Sequence, residues 1–148
     1  MKALSAETVL ALHGLHLMLR TRGPVSSTQI SRSGTFASSQ VRRVLGKLQS
    51  GGLVRSGSGH GFELAKAPGE ISILDVIRAV DVPEPPTAPC GGDYDACVTR
   101  ATCVLAPLCR KTEEAVQESL RAFTLADLDD VSIDVPNCLD PKLRTGAS

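Results

Sequence analysis

Residues 37–52 read ASSQVRRVLGKLQSGG, the pattern of an amphipathic helix that ends at a glycine pair. Four apolar residues recur at the spacing of one buried helix face, namely Val41, Val44, Leu45 and Leu48. Small polar and cationic side chains occupy the opposite face. The glycine pair accepts the left-handed conformation that commonly closes a helix. The stretch therefore predicts a helix from about residue 37 to residue 50, with a basic outer face.

Two helices are predicted before this stretch. Ser5 can cap the first, whose apolar residues follow a 3.6-residue period and which ends before Gly23 and Pro24. Ser26 or Ser27 starts a short second helix over residues 28–32, and a turn follows at residues 33–34.

A β-hairpin is predicted after residues 37–52. The apolar runs 53–55 and 62–65 flank the glycine-rich tip SGSGHG. The order helix, helix, turn, helix, hairpin predicts a winged helix-turn-helix in a mostly α chain with a small β-hairpin. The outer face of the third helix suits a DNA major groove, because arginine and glutamine can contact base edges and phosphates. The predicted DNA contacts are Thr28, Ser38, Ser39, Gln40, Arg42, Arg43, Lys47, Arg55 and His60.

The rest of the chain divides into further segments. Ser72 and Asp75 form a capping box for a fourth helix, and the proline-rich residues 82–89 cannot be helical. A last amphipathic helix, roughly Thr112 to Phe123, needs a partner because an isolated helix of that length is marginal. We therefore predict a DNA-binding domain at 1–81, a proline-rich connector and cysteine loop at 82–110, a dimerisation helix at 111–130 and a flexible tail at 131–148.

The 148 residues carry a net charge of zero that conceals two opposite halves. Residues 1–66 hold nine basic and two acidic side chains, whereas residues 67–148 hold seven basic and fourteen acidic ones. The first half is thus expected to face a polyanion. Aromatic residues make up only 3%, which argues against stacking platforms for single-stranded nucleic acid. No apolar run reaches the length of a membrane span and no secretory signal is recognisable, so we expect a cytoplasmic protein.

Four of the five cysteines lie close together after the proline-rich connector. Cys90, Cys97, Cys103 and Cys109 are spaced C-x6-C-x5-C-x5-C, without the short pairs that structural zinc prefers. Wider spacing fits a larger thiolate-bound group such as an iron–sulfur cluster. A thiol–disulfide sensor, a zinc-binding interaction module and simple packing of thiols remain open at this point. An enzyme with a cysteine nucleophile is not expected, because no histidine follows His60 and no C-x-x-C is present.

Several phrases of the chain together resemble the Rrf-two family of bacterial transcription regulators, of IscR, NsrR and RirA type. They are residues 40–56, residues 59–68, residues 70–80 and Thr124-Leu125-Ala126-Asp127-Leu128, so that the likeness covers about residues 1–130.

This resemblance implies a homodimer, joined through the C-terminal helices, that binds a pseudo-palindromic operator as a repressor. It also implies a 2Fe-2S or 4Fe-4S cluster on Cys90, Cys97 and Cys103 that senses iron, nitric oxide or redox state. The fourth ligand varies within the family, and the candidates are Cys109 of the same chain, or Glu7 or His13 of the partner subunit. The alternatives are a cluster-free member of the family that senses oxidants through its thiols, and the zinc-binding module.

Overall fold

The computed structural model describes residues 4–81 and 103–129. These residues form helices α1 (Ala6–Thr21), α2 (Ser27–Gly34), α3 (Ser38–Ser50), α4 (Ile73–Val80), α5 (Ala106–Ala122) and α6 (Leu125–Asp129), strands β1 (Val54–Ser56) and β2 (Phe62–Leu64), and single 3-10 turns at Ser58–His60 and Pro68–Glu70. Cys90, Cys97, Cys138, the proline-rich connector and the predicted tail lie outside the described residues.

Serine side chains begin three of the helices, as the sequence predicted. The Ser5 hydroxyl accepts from the Thr8 N–H at 3.0 Å and starts α1. Ser26 and Ser72 form reciprocal capping boxes at α2 and α4. The ends of α1 and α2 are closed by left-handed residues, Arg22 at φ 53° and Thr35 at φ 56°. Because Thr35 makes the turn, α2 runs two residues beyond the predicted Arg32.

The hydrophobic core lies where α1, α3 and α4 meet. Its most enclosed members are aliphatic, as expected for a chain almost without aromatic residues: Leu15, Ile30, Val41, Val44, Leu48, Val54, Ile71, Val76, Val80 and Leu125. Burying an aliphatic side chain contributes roughly 1.5–3 kcal/mol. The four apolar positions of α3 are all buried, which confirms the predicted inner face of this helix.

The hairpin has the predicted antiparallel form. Residues 54–56 pair with residues 62–64 so that Val54 lies opposite Leu64 and Arg55 opposite Glu63. Val25, just before α2, exchanges two backbone hydrogen bonds with Phe62 at 2.9 and 2.8 Å. The base of the wing is thus attached to the helix-turn-helix, while its tip at residues 58–60 is exposed.

The C-terminal part contains two helices. α5 begins at Ala106, earlier than the predicted Thr112, because Pro107 stands in its first turn, where a missing N–H costs nothing. After α5 the chain returns to the first domain: the Ile73 N–H donates to the Phe123 carbonyl at 2.9 Å, and the Leu125 N–H donates to the Ile71 carbonyl at 3.0 Å. Leu125 is fully buried there.

None of the described helices combines the length and the apolar character that crossing a membrane would require.

Candidate nucleic-acid interface and cysteine segment

The exposed face of α3 is polar and partly cationic. Burial of its four apolar residues turns five of the six predicted contacts to the surface: Ser38, Ser39, Gln40, Arg42 and Arg43. Arg42 Nε lies 3.4 Å from the Ser38 carbonyl, one helical turn earlier. The remaining contact, Lys47, is partly buried. Small and cationic side chains thus share one accessible side of one helix.

Glu7 of α1 binds two cations of α3. Its Oε1 lies 2.5 Å from Arg43 Nη2, and its Oε2 accepts from the Lys47 ammonium. Lys47 also donates to the Val80 carbonyl at the end of α4, at 2.7 Å. The Arg43 side chain is 58% exposed and that of Lys47 only 32%. Lys47 therefore lies in the seam between three helices, and Arg43 lies at its edge with much of its surface accessible.

The other predicted contacts lie around the wing and α2. Arg55 Nε donates to Glu63 Oε1 across the hairpin at 2.8 Å, and its side chain remains exposed. His60 is exposed at the tip and has a left-handed φ of 63°, which is uncommon for a residue with a Cβ. Thr28 is exposed in the first turn of α2. Gln49 Nε2 reaches Ser56 Oγ at 3.3 Å and joins α3 to β1.

Asp81 connects the end of α4 to the start of α1. The Ser5 hydroxyl donates to its Oδ1 at 2.5 Å, and the hydroxyl of the buried Thr8 donates to its Oδ2 at 3.0 Å. Asp81 is the last described residue before the segment that contains Cys90 and Cys97. No sequence pattern predicts this role of Asp81, because its partners are 76 and 73 residues away.

Two of the predicted cluster ligands lie within the described residues. Cys103, three residues before α5, and Cys109, in the first turn of α5, are free, partly exposed thiols. The Cys103 carbonyl accepts from the Ala106 N–H at 3.2 Å, and the Cys109 N–H donates to the Leu105 carbonyl at 3.0 Å. In residues 4–81 and 103–129, no three His, Cys, Asp or Glu side chains come close enough to hold a metal ion.

The other two candidate ligands have partners in their own chain. Glu7 binds Arg43 and Lys47, as described. His13 Nε2 lies 2.9 Å from Ser33 Oγ, and its ring meets the edge of Phe36 with the centroids 5.4 Å apart. Burial lowers the pKa of His13, and the charge of His16 lowers it further.

Comparison with known proteins agrees with this architecture. Residues 4–130 match the family model of Rrf2, described as "Iron-dependent Transcriptional regulator". The chain is 26% identical over 121 residues to Protein rrf2 of Nitratidesulfovibrio vulgaris, covering 80% of this chain and 76% of that protein. It is 31% identical over 128 residues to the HTH-type transcriptional regulator ORF2 of Azotobacter vinelandii, covering 85% and 73%.

Solved structures share the fold. The oxidized form of Staphylococcus aureus CymR superposes with a TM-score of 0.70 at 20% identity, covering 87% of this chain and 97% of that one. T. potens IscR superposes with a TM-score of 0.64 at 23% identity, covering 86% and 85%. The predicted resemblance and the winged-helix fold are thereby confirmed. The chain belongs to the Rrf2 family of DNA-binding transcriptional regulators.

Proposed function

We propose that this regulator acts as a homodimeric repressor on a pseudo-palindromic operator, and that its cysteine segment holds an iron–sulfur cluster as the sensor. The observation that carries the DNA-binding part is the exposed face of α3, where arginine, glutamine and serine side chains lie opposite four buried apolar residues. A helix of this kind fits the major groove of double-stranded DNA.

We assign each proposed contact a role from its place in the fold. Ser38, Ser39 and Gln40 belong to its first turn, the part of a recognition helix that reaches base edges. Arg42 and Arg43 follow and can bind guanine or phosphate in a bidentate way. Thr28 on α2 and Arg55 and His60 on the wing then contact the flanking backbone. Lys47 makes no direct contact in this arrangement, because Glu7 and the Val80 carbonyl bind its ammonium within the protein.

The exposed apolar side chains of α5 support the homodimer. None of the 17 residues of this helix is buried. Leu108 is 63% exposed, and Leu105 and Phe123, at the two ends of the helix, are 54% and 60% exposed. Large apolar side chains left exposed along one helix are typical of a protein contact. A second copy of α5 would cover it and would bring two winged helices together for a two-fold symmetric operator.

The cysteine chemistry fits an iron–sulfur cluster. Thiolates hold such clusters, and Cys103 and Cys109 are free and accessible at the start of α5. Cys90, Cys97 and Cys103 would supply three ligands. We favour Cys109 as the fourth, because Glu7 and His13 already have partners in their own chain. When bound, the cluster would supply iron–thiolate bonds that nitric oxide, oxidants or iron limitation can break.

The two residues just before the cysteine segment, Val80 and Asp81, can transmit a change to α3. Asp81 binds Ser5 and Thr8 of α1, and the Val80 carbonyl binds Lys47 of α3. A displaced residue 81 would thus act on α1 and α3 through these hydrogen bonds. A coupling of only about 1–3 kcal/mol is typical and would change DNA affinity roughly 5–150-fold.

The test is purification without oxygen, followed by visible absorption and by iron and sulfide analysis. We expect a coloured protein with stoichiometric iron and sulfide, and loss of both in Cys103→Ser and Cys109→Ser. Cys138→Ser is the matched control and should keep them. A full cluster in Cys109→Ser would overturn the assignment of the fourth ligand.

A colourless protein without iron or sulfide that still binds DNA would overturn the cluster itself. Thiol counting before and after a mild oxidant would then test the second candidate, a regulator that senses oxidants directly. The observation that favours this candidate is the accessibility of both described thiols. Disulfide formation that changes DNA affinity is its expected result.

A further inference from the structure

The fold of the described residues does not require a glycine at position 46. It lies in the interior of α3, where glycine is less favourable than alanine. Its φ is not positive, unlike those of Gly52 and Gly59. Apart from its chain neighbours and the backbone of its own helix, a Cβ built on Gly46 would meet no atom within 4 Å, whereas a Cβ on Gly51 would come within 2.9 Å of Ala79. Neither the backbone conformation nor packing within the described residues explains this glycine.

Gly46 lies next to two arginines on the exposed face of α3. Gly46 follows Arg42 by four residues and Arg43 by three, so the three positions are neighbours on one helix face. That face is exposed and lies away from the buried Val44 and Leu48. The side chain is therefore missing at a point of the surface that is flanked by two cations.

We propose that Gly46 is the point where α3 approaches the sugar–phosphate backbone of DNA most closely. This inference rests on the proposed role of α3 and adds a positioning residue to it. The first turn of a recognition helix reaches the base edges, whereas Gly46 lies two turns later, where the wall of the groove passes the helix. Absence of a Cβ lets the helix axis lie closer to that wall, and so brings the guanidinium groups of Arg42 and Arg43 within reach of phosphates.

The proposal separates protein stability from DNA affinity. Gly46→Ala should raise the midpoint of thermal unfolding, because alanine favours the helix and has free space. The same change should weaken DNA binding about fivefold or more, and Gly46→Leu should weaken it further, because added carbon atoms force surfaces in contact apart. The loss should be similar on all sequences, since the backbone is common to them.

The experiment measures both properties on the full-length protein. Affinity is determined with duplexes that the wild-type protein selects from a random-sequence pool, and with an unrelated duplex at low salt. Gly69→Ala is the matched control, because a Cβ there also meets nothing within 4 Å and the residue lies outside α3. It should leave DNA affinity unchanged.

Two results overturn the inference in distinguishable ways. If Gly46→Ala and Gly46→Leu bind as tightly as wild type while the double variant Arg42→Ala, Arg43→Ala binds weakly, α3 contacts DNA but Gly46 does not position it. If the arginine variant also binds normally, the proposed placement of α3 fails as well.

Discussion

His13 shows how one side chain joins α1 to the helix-turn-helix. The Ser33 hydroxyl donates to the Ile30 carbonyl at 3.0 Å, so its oxygen is left to accept from the N–H of His13 at Nε2. The ring also contacts Phe36, which in turn lies over Gly34. The sequence placed His13 on a largely apolar helix, but its hydrogen-bond partner could not be predicted, because it depends on how α1 crosses α2.

The lowered pKa of His13 predicts a pH-dependent stability. Burial, and then the charge of His16, disfavour the protonated ring in the folded chain. The unfolded chain therefore binds the proton more readily, with a pKa of roughly 6.5. The contribution of neutral His13 to the free energy of unfolding is therefore fully present above about pH 6.5, and it should be lost as the pH falls below that value.

The variant His13→Gln should have a flatter dependence, because glutamine does not titrate and can still donate to Ser33. Urea unfolding at a series of pH values from about 7.5 to about 5.5 measures this. His60→Gln, at the exposed wing tip, is the control and should retain the wild-type profile. Identical profiles for wild type and His13→Gln would contradict the prediction.

At the scale of elements, local sequence signals predicted where the helices begin, but they did not predict the long-range contacts between elements. Ser5, Ser26 and Ser72 begin helices because each hydroxyl satisfies an N–H close to it in the sequence, and local sequence is sufficient for that. The return of residues 123–125 to residues 71–73 joins positions about fifty residues apart. No local pattern predicts such a pairing.

The exposed apolar side chains of α5 predict that a substitution there prevents dimerisation. Leu108→Glu places a charge among exposed apolar side chains, which a second copy would have to bury at a cost of several kcal/mol. We expect a monomer by analytical ultracentrifugation, with little change in helix content. Arg110→Glu introduces the same residue on a largely exposed, charged side of α5 and should leave the dimer intact. A dimeric Leu108→Glu protein would show that α5 is not the interface.

At the scale of the whole molecule, Glu7 joins α1 to α3, and Lys47 joins α3 to α4. Glu7 is one of only two acidic residues among residues 1–66. Its partners Arg43 and Lys47 belong to the predicted DNA contacts, whereas the sequence pointed to Glu7 as a ligand. Charge counts reveal an excess of cations, but only the packed helices reveal which of these cations are already neutralised.

The substitution Glu7→Gln should free Arg43 for DNA, while Lys47 keeps its hydrogen bond to the Val80 carbonyl and loses only the neutralising charge. We expect tighter DNA binding at low salt and a salt dependence steeper by about one unit for each additional phosphate contact. Stability should fall by about 0.5–1 kcal/mol, since the ion pairs are partly exposed. Glu114→Gln on α5 removes the same charge elsewhere and should change neither property. Weaker DNA binding by Glu7→Gln would mean that Glu7 orients Arg43 instead of restraining it.

The hydrogen bonds of Phe123 and Leu125 give α5 the mechanics of a lever. Its C-terminal end is fixed to residues 71–73 at the start of α4, and Leu125 is buried there. Its other end begins just after Cys103 and carries partly exposed thiols. A helix of 17 residues is about 25 Å long, so a small rotation about the fixed end moves the cysteine end by several ångströms. In a dimer joined through α5, the same pivot would convert movement at the cysteines into a change in the angle between the two winged helices.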